Sequence, residues 1–326
     1  MEILRARWPG AVLLLALGVL AYANTFPVPF VFDDFDSIVE NPLVRDFGLV
    51  LDAARRDAAE VAGRPAWPAF KGRIVVVATL AANHAAHGLA VAGYHAVNLA
   101  IHLINGLLVA ALAALVLARA HPAGGAGPLA RWAPWATAAL WLAHPVQTQA
   151  VTYLCQRFTS LAALFFLAAL LLYVRAVGSG PRLRLPAYLG ALAAAALALL
   201  SKQNAFTLIG VLVLWELAFE AAPARAKLAR LAPFALLTVA LFAWTVLGAG
   251  AGAPGTSLGD RIAGLSGSVI GFSRWDYLAT QARVIVTYLR LLVLPVGQSL
   301  VWDVRVSTSL LEPAVVAAGA VSLALV

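Results

Sequence analysis

The sequence "WPGAVLLLALGVLAYAN" (residues 8–24) is followed directly by "TFPVPFVFDDFDSIVENPLVRD" (residues 25–46). The first stretch is apolar and close to the roughly 20 residues that a helix needs to cross the hydrocarbon of a bilayer. The second stretch places four acids within eight positions: Asp33, Asp34, Asp36 and Glu40. Together the two stretches predict a membrane-spanning helix that ends at an acidic segment.

The rest of the chain continues the apolar pattern. Its 326 residues are 62% hydrophobic and 12% charged, with a mean hydropathy of +0.87. A water-soluble globule cannot bury that much apolar surface, and Ala, Leu and Val dominate the apolar runs, which favours helices over barrel strands. We therefore predict an all-α polytopic membrane protein. The seven predicted spans are residues 8–24, 95–118, 132–145, 159–175, 186–201, 205–221 and 231–249.

Basic residues in the short connections predict the orientation. With Arg5 and Arg7 in the cytoplasm, the other basic clusters of these connections also fall on the cytoplasmic side. This predicts a multi-pass protein of the bacterial inner (plasma) membrane with a cytoplasmic N-terminus and exported segments 25–94 and 250–312. The net charge of +8 is scattered, without the basic runs of a nucleic-acid interface, so we expect no nucleic-acid partner.

The chain, residues 1–326, is predicted to be a single transmembrane domain. Within the second exported segment, residues 277–295 have the pattern of an amphipathic helix lying in the membrane interface, with an eighth span as the alternative. The final apolar run, "AVVAAGAVSLALV", begins a further span without a flanking charge. We therefore expect the domain to be truncated at its C-terminus.

Charged residues at the exported ends of the spans form the candidate site. Adjacent carboxylates such as Asp33 and Asp34 repel each other, which suits a general base or a metal ligand; the alternative is a solvated acidic loop that caps a helix. Arg and Lys near the membrane surface can bind a lipid phosphate, or they can simply extend toward headgroups. The candidate cations are Arg73, Arg157, Lys202 and Arg290.

Polar residues within the spans have simpler interpretations. His95, Asn98, His102 and Asn105 lie on one face of the second predicted span, which favours hydrogen bonds between helices. His84 and His87 are three residues apart and could share a metal ion, but no third ligand accompanies them in the sequence. We predict a structural role for Glu216.

Five segments, taken in order, resemble the transmembrane O-mannosyltransferase family that usually carries C-terminal tetratricopeptide repeats, within the GT-C superfamily of membrane glycosyltransferases. They are "FVFDDFDSIVENPLV" (30–44), "YHAVNLAIHLINGLLV" (94–109), "HPVQTQAVTYLCQRFTSLAALFFLAALLLY" (144–173), "LSKQNAFTL" (200–208) and "YLRLLVLPVGQSL" (288–300). The resemblance implies a bundle of about seven to nine transmembrane helices with a long first outer loop. It also implies an inverting enzyme that moves a sugar from a polyprenyl-phosphate donor to a hydroxyl of a protein, glycan or lipid acceptor at the exported face.

The resemblance also implies roles for individual residues. The family's acid pair matches Asp33 and Asp34, of which Asp34 ranks first as the catalytic base. Donor phosphate binding is expected from Arg157, Lys202, Arg290 and Arg73. The other residues expected to line the site are His144, Gln147, Gln149, Gln203, Asn204 and His95. The second acid of the pair has two expected roles, orienting the acceptor or holding a divalent cation, Mg²⁺ or Mn²⁺, and no cofactor is certain from the sequence.

Two departures from the family leave other functions open. Similar sequences usually have Glu after "HPVQT" and after "SK", whereas this chain has Gln149 and Gln203. Both changes remove a carboxylate, so a catalytically degenerate membrane scaffold is one alternative. A transporter or flippase is another, although a transporter is expected to place its polar groups near the middle of the bilayer.

Overall fold

The computed structural model of the chain describes residues 8–55, 71–121, 128–178, 180–248, 273–300 and 302–324. Within these ranges the chain forms helices and connecting turns and contains no strand, which confirms the predicted all-α class. The α-helices of these ranges are α1 (Trp8–Ala21), α2 (Pro42–Arg45), α3 (Phe47–Arg55), α4 (Ile74–His87), α5 (Val91–Ala120), α6 (Ala133–Leu142), α7 (Thr148–Val151), α8 (Arg157–Gly178), α9 (Pro181–Leu199), α10 (Leu208–Phe219), α11 (Ala224–Gly248), α12 (Arg274–Val293) and α13 (Pro313–Ala324).

Five helical segments of the described ranges are long and apolar enough to cross a membrane, which confirms a polytopic membrane protein. They are Trp8–Thr25, Val91–Ala120, Leu154–Gly178, Arg182–Leu199 and Ala224–Thr245. Each corresponds to one predicted span. The other two predicted spans correspond to α6 and α10, which have 10 and 12 residues. At about 1.5 Å per residue, neither α-helix alone reaches across the roughly 30 Å of hydrocarbon.

The spanning helices pack around two apolar cores. In the first, Leu170 and Tyr173 of α8 meet the small residues Ala191 and Ala194 of α9, with Phe234 of α11 beside them. Small side chains let neighbouring helices approach closely, which gives packing contacts that lipid cannot replace. The second core joins α1, α5 and α6. Its buried members are Leu14, Ala110, Ala138 and Leu142.

Segment 25–94, which we call the first exported segment after its predicted side of the membrane, is predicted as a loop, but its described parts are largely helical. Asn41 caps α2 by accepting a hydrogen bond from the backbone N–H of Leu43, and Pro42 occupies the first helical position, where its missing N–H costs nothing. Val77 and Leu80 of α4 are fully buried in a core shared with α5 and the start of α8. The segment is therefore packed on the bundle, because α4 has an apolar face to bury.

The described C-terminal part is a pair of packed helices, α12 and α13. Ser273 and Asp276 form a reciprocal capping box at the start of α12. The Arg283 guanidinium donates hydrogen bonds to the carbonyl of Arg305 and the hydroxyl of Ser307. Helix α12 covers most of the predicted amphipathic helix 277–295, and its position at the membrane interface stays a prediction. Arg5 and Arg7, and residues 250–272, lie outside the described ranges.

Candidate active site

The two adjacent acids lie on a tight turn and point into different surroundings. Phe32, just before them, has a φ of 45°, a left-handed conformation that is uncommon for a bulky residue. The Asp34 side chain is fully buried, and its two oxygens accept hydrogen bonds from the backbone N–H of Val31 at 3.0 Å and of Cys155 at 2.7 Å. Asp34 therefore ties the first exported segment to the residues that precede α8.

Asp33 differs from Asp34 in both exposure and partners. Its side chain is exposed, and its backbone N–H donates to the Tyr153 hydroxyl at 3.1 Å. Burial raises the pKa of Asp34 above its ordinary value, and the two backbone hydrogen bonds act against that shift. Of the two acids, Asp33 is the one that a substrate can reach.

Two of the predicted phosphate-binding residues, Arg73 and Lys202, lie near each other and form what we term the cation pair. The Lys202 ammonium donates to the Thr159 hydroxyl at 2.6 Å and is 3.5 Å from the side-chain oxygen of Gln156. The Arg73 guanidinium lies over the Phe158 ring, 4.8 Å from its centre. Within the described parts of the chain, neither cation forms an ion pair with a carboxylate.

The two charges of the cation pair are partly removed from water, and Arg73 disfavours the charged form of Lys202. Burial, followed by the charge of Arg73, lowers the pKa of Lys202. Burial also lowers the pKa of Arg73, while the neighbouring Cys155 and Asp33 act in the opposite direction. An anion bound between two half-buried like charges would relieve their repulsion and replace lost solvation. The arrangement is therefore suited to a phosphate next to Asp33.

Arg157 does not resemble the cation pair. Its side chain is fully buried, and its guanidinium donates to Asn98 Oδ1 at 2.6 Å and to Asn83 Oδ1 at 2.8 Å. Two backbone carbonyls, those of Thr79 and Tyr94, accept further hydrogen bonds at 3.3 and 3.2 Å. We call these five residues the arginine network. Neutral protein oxygens therefore already accept the hydrogen bonds of this guanidinium.

The polar stripe of α5 makes hydrogen bonds to neighbouring segments, as predicted. Asn98 donates to the carbonyls of Val151 and Leu154, and Asn105 donates to the carbonyl of Ser160. His102 lies 2.9 Å from the carbonyl of Leu142. His95, predicted to line the site, is buried between the Thr25 hydroxyl and the Val28 carbonyl. The stripe thus positions the connection between α6 and α8.

A cavity of about 310 Å³ opens beside the acid pair. It lies between the first exported segment, the connection from α6 to α8, and the C-terminal part of the chain. Its aliphatic lining consists of Val28, Val31, Val146, Leu291 and Leu300. Its aromatic lining consists of Tyr153, Tyr288 and Trp302, and its polar lining of Thr148, Gln149, Thr152, Gln298 and Ser299. All of the described lining residues are uncharged.

The remaining predicted site residues are more scattered. Gln149 lines the cavity, whereas Gln147 is half-buried outside it. His144 lies 3.1 Å from the Leu292 carbonyl and so connects the α6 end to α12. Asn204 is exposed without lining the cavity. Arg290 is exposed on α12 and donates to the Val296 carbonyl at 3.3 Å.

Gln203 packs closely against Gly72, which precedes Arg73. A Cβ atom at Gly72 would lie 2.9 Å from the Gln203 side-chain nitrogen, so the missing side chain permits this approach. The neutral amide brings no charge to the cation pair. A carboxylate at this position, as in similar sequences, would lie close to Arg73.

Sequence reasoning missed the neutral residues that hold the site together. Tyr153 contacts Asp33, and Thr159 and Gln156 contact Lys202. All three belong to the segment 144–173 on which the resemblance rests, but none carries a charge that would single it out.

The described residues do not fit a divalent metal site built from protein side chains. Within the described ranges, no three His, Cys, Asp or Glu side chains come close enough to hold a metal ion together. His84 and His87 accordingly have no third ligand there. Glu216, predicted to be structural, is buried and accepts hydrogen bonds from Tyr173 at 2.6 Å and Arg230 at 3.3 Å.

Comparison with known proteins identified two relatives. The chain is 29% identical over 212 residues to the protein O-mannosyl-transferase Tmtc3 of Drosophila melanogaster, an alignment that covers 61% of this chain and 23% of the relative. It is 28% identical over 165 residues to the protein O-mannosyl-transferase F38B6.6 of Caenorhabditis elegans, covering 50% of this chain and 22% of the relative. In each case the alignment spans less than a quarter of the relative.

Other comparisons add no further match. No family model matches the chain, and no solved structure matches it. Both relatives carry the name of the enzyme class that the five sequence segments indicated. The resemblance of this chain to the transmembrane protein O-mannosyltransferases is therefore confirmed.

Proposed function

We propose that this chain is the membrane-embedded part of a glycosyltransferase that moves a sugar from a polyprenyl-phosphate donor to a protein hydroxyl. The observation that carries the proposal is that the exposed Asp33 and the half-buried cation pair contact one short stretch of chain: Asp33 binds Tyr153, Arg73 lies over Phe158 and Lys202 binds Thr159. A carboxylate that substrate can reach and a neighbouring anion site are the two elements that such a transfer requires. The names of the two relatives support the same class.

The chemistry follows from these positions. The Asp33 carboxylate takes the proton of the acceptor hydroxyl while the hydroxyl oxygen forms a bond to the anomeric carbon of the sugar. The bond from that carbon to the donor phosphate oxygen breaks, with inversion, and its electron pair leaves with the lipid phosphate. Arg73 and Lys202 stabilise the negative charge that develops on the leaving group.

The other predicted residues then have supporting roles. We assign Asp34 to orienting Asp33, because its oxygens bind the backbone N–H groups of Val31, just before the acid pair, and of Cys155, in the connection before α8. Arg157 supports the connection before α8, since its hydrogen bonds go to protein acceptors. Arg290, exposed on α12, remains available for the donor's phosphate or headgroup. No metal ion enters any step.

The donor lipid and the basic connections together favour a site at the exported face. Single-cysteine labelling in intact cells tests this orientation, because the native Cys155 is buried. Leu51→Cys and Gly180→Cys both replace exposed residues. We expect an impermeant reagent to label position 51 and not position 180. Labelling of 180 with protection of 51 would place the acid pair on the cytoplasmic side.

Replacing the proposed base tests the chemistry. Asp33→Asn keeps the side-chain shape and removes its basicity, so we expect transfer from a polyprenyl-phosphate sugar to fall by about 10² to 10⁴. Asp36→Asn is the matched control, because Asp36 is also an exposed acid, in the short helical segment Phe35–Val39 that follows the pair. Transfer by Asp33→Asn at more than about a tenth of the native rate would contradict a base role. A native chain that transfers nothing from any donor tried would favour the scaffold alternative.

A further inference from the structure

Resting on the proposed function, we propose that the cavity beside Asp33 is the acceptor site, and that it takes a Ser or Thr hydroxyl within a peptide segment of uncharged residues. The relatives' names give a protein as the acceptor but no preference for its sequence. The inference comes from where the cavity lies, from its lining, and from its size.

Asp33 lies near both the cavity and the cation pair. Its backbone N–H donates to Tyr153, which lines the cavity. Its charge also acts on Arg73, which does not line the cavity. An inverting transfer needs the incoming hydroxyl and the leaving phosphate on opposite sides of the sugar carbon. With the phosphate at the cation pair, the hydroxyl therefore enters from the cavity.

The lining favours a peptide over a glycan. A glycan presents many hydroxyl groups, each of which needs a hydrogen-bond partner when it loses water. The five aliphatic side chains among the described lining residues supply no such partner, so part of the wall cannot bind the hydroxyls of a glycan. A Ser or Thr residue with apolar neighbours brings a single side-chain hydroxyl, and the amides of Gln149 and Gln298 can bind its backbone N–H and C=O groups.

The absence of charge in the described lining predicts selectivity. A charged residue next to the acceptor Ser or Thr would lose water in the cavity without meeting an opposite charge, and this costs binding free energy. The volume of about 310 Å³ accommodates only a short part of a chain, so the residues directly beside the hydroxyl matter most. The cavity thus selects against both acidic and basic flanking residues.

The test adds charge to the wall and measures peptide binding to the full chain in detergent. Fluorescent peptides would carry one Thr flanked by Ala and Val, by Lys, or by Glu. The native protein should bind the neutral peptide about tenfold more tightly than either charged peptide. Gln149→Glu and Gln298→Glu should each shift the ratio of Lys-peptide to Glu-peptide affinity about tenfold toward Lys. Gln281→Glu, outside the cavity on α12, is the matched control and should leave the ratio unchanged.

The outcomes separate this inference from the proposed function, because binding is measured independently of sugar transfer. If neither cavity variant moves the peptide ratio, the acceptor assignment is wrong even in an active enzyme. If the variants instead change the KM for the lipid donor and leave peptide binding alone, the cavity holds the donor sugar. Competition by a neutral glycan with no peptide binding would likewise overturn the proposal. A shifted ratio in a chain that transfers no sugar would support the peptide site while counting against the transferase.

Discussion

The sequence predicts donor phosphate binding both for Arg157, in the arginine network, and for the cation pair. The surroundings of these residues nevertheless differ. Arg157 has two amide oxygens and two carbonyls as acceptors and is fully buried. Lys202 has one close hydroxyl acceptor, and Arg73 stacks on a ring. A buried cation whose donors all bind protein oxygens has a structural role. Two cations that repel each other instead favour the binding of an anion from a substrate.

The largest effect should come from breaking the arginine network. Arg157→Met leaves the oxygens of Asn83 and Asn98 without their donor in a buried site. We expect a loss of about 2–6 kcal/mol in the free energy of unfolding, at about 1–3 kcal/mol for each unsatisfied acceptor. Thermal unfolding in detergent measures it. Arg182→Met, an exposed arginine on α9, should change stability by less than about 1 kcal/mol. If the two variants were equally stable, Arg157 would contribute no more to stability than an exposed arginine does, and the structural role of the arginine network would be wrong.

The cation pair should show the opposite response. Lys202→Gln removes a charge that stabilises the leaving phosphate, and we expect transfer to fall by about 10² to 10³. Stability should stay the same or rise, because the substitution also removes the repulsion from Arg73. Both properties can be measured on one preparation. A variant that unfolds as easily as Arg157→Met, with normal transfer per folded molecule, would make Lys202 part of the structural network.

Replacing Asp34 should have a smaller effect, mainly on the stability of the fold. Asp34→Asn keeps one acceptor oxygen and loses the second, together with the negative charge that two backbone N–H groups bind. We expect a loss of about 1.5–3 kcal/mol in stability, the range for hydrogen bonds to charged groups. Transfer per folded molecule should remain above about a tenth of the native rate. A fall as large as that expected for Asp33→Asn would return the base role to Asp34.

The smallest effect is on pH dependence. Because its pKa is lowered, Lys202 loses its proton below the ordinary 10.5, and a neutral lysine binds phosphate poorly. Donor binding should therefore weaken as pH rises, starting below 10.5, by less than about tenfold. For stability the sign is reversed: the protonated form is penalised in the fold, so stability rises over the same interval. In Lys202→Arg, which stays charged, the pH-dependent change in the donor KM should disappear.

The comparison also shows where sequence reasoning succeeded. A repeated apolar run of membrane-spanning length depends only on local composition, so five spans and the all-α class were predictable. The stripe of α5 was predictable for a related reason, because a helix places residues three and four apart on one face and buried polar groups require partners. That the acid cluster and the basic residues share one membrane surface stays a prediction from the order of the spans.

Only the tertiary structure could separate residues of the same type. Asp33 and Asp34 are adjacent, and their difference in exposure depends on a contact with Cys155, 121 positions away. Arg157 and Lys202 each lie at the end of a short helical segment, Arg157 after one and Lys202 before one, but Asn98 reaches Arg157 from another helix. Composition and periodicity determine which segments enter the membrane and which faces they bury. Which buried charge finds a protein partner, and which is left for a ligand, depends on long-range packing, because hydrogen bonds act only over about 3 Å.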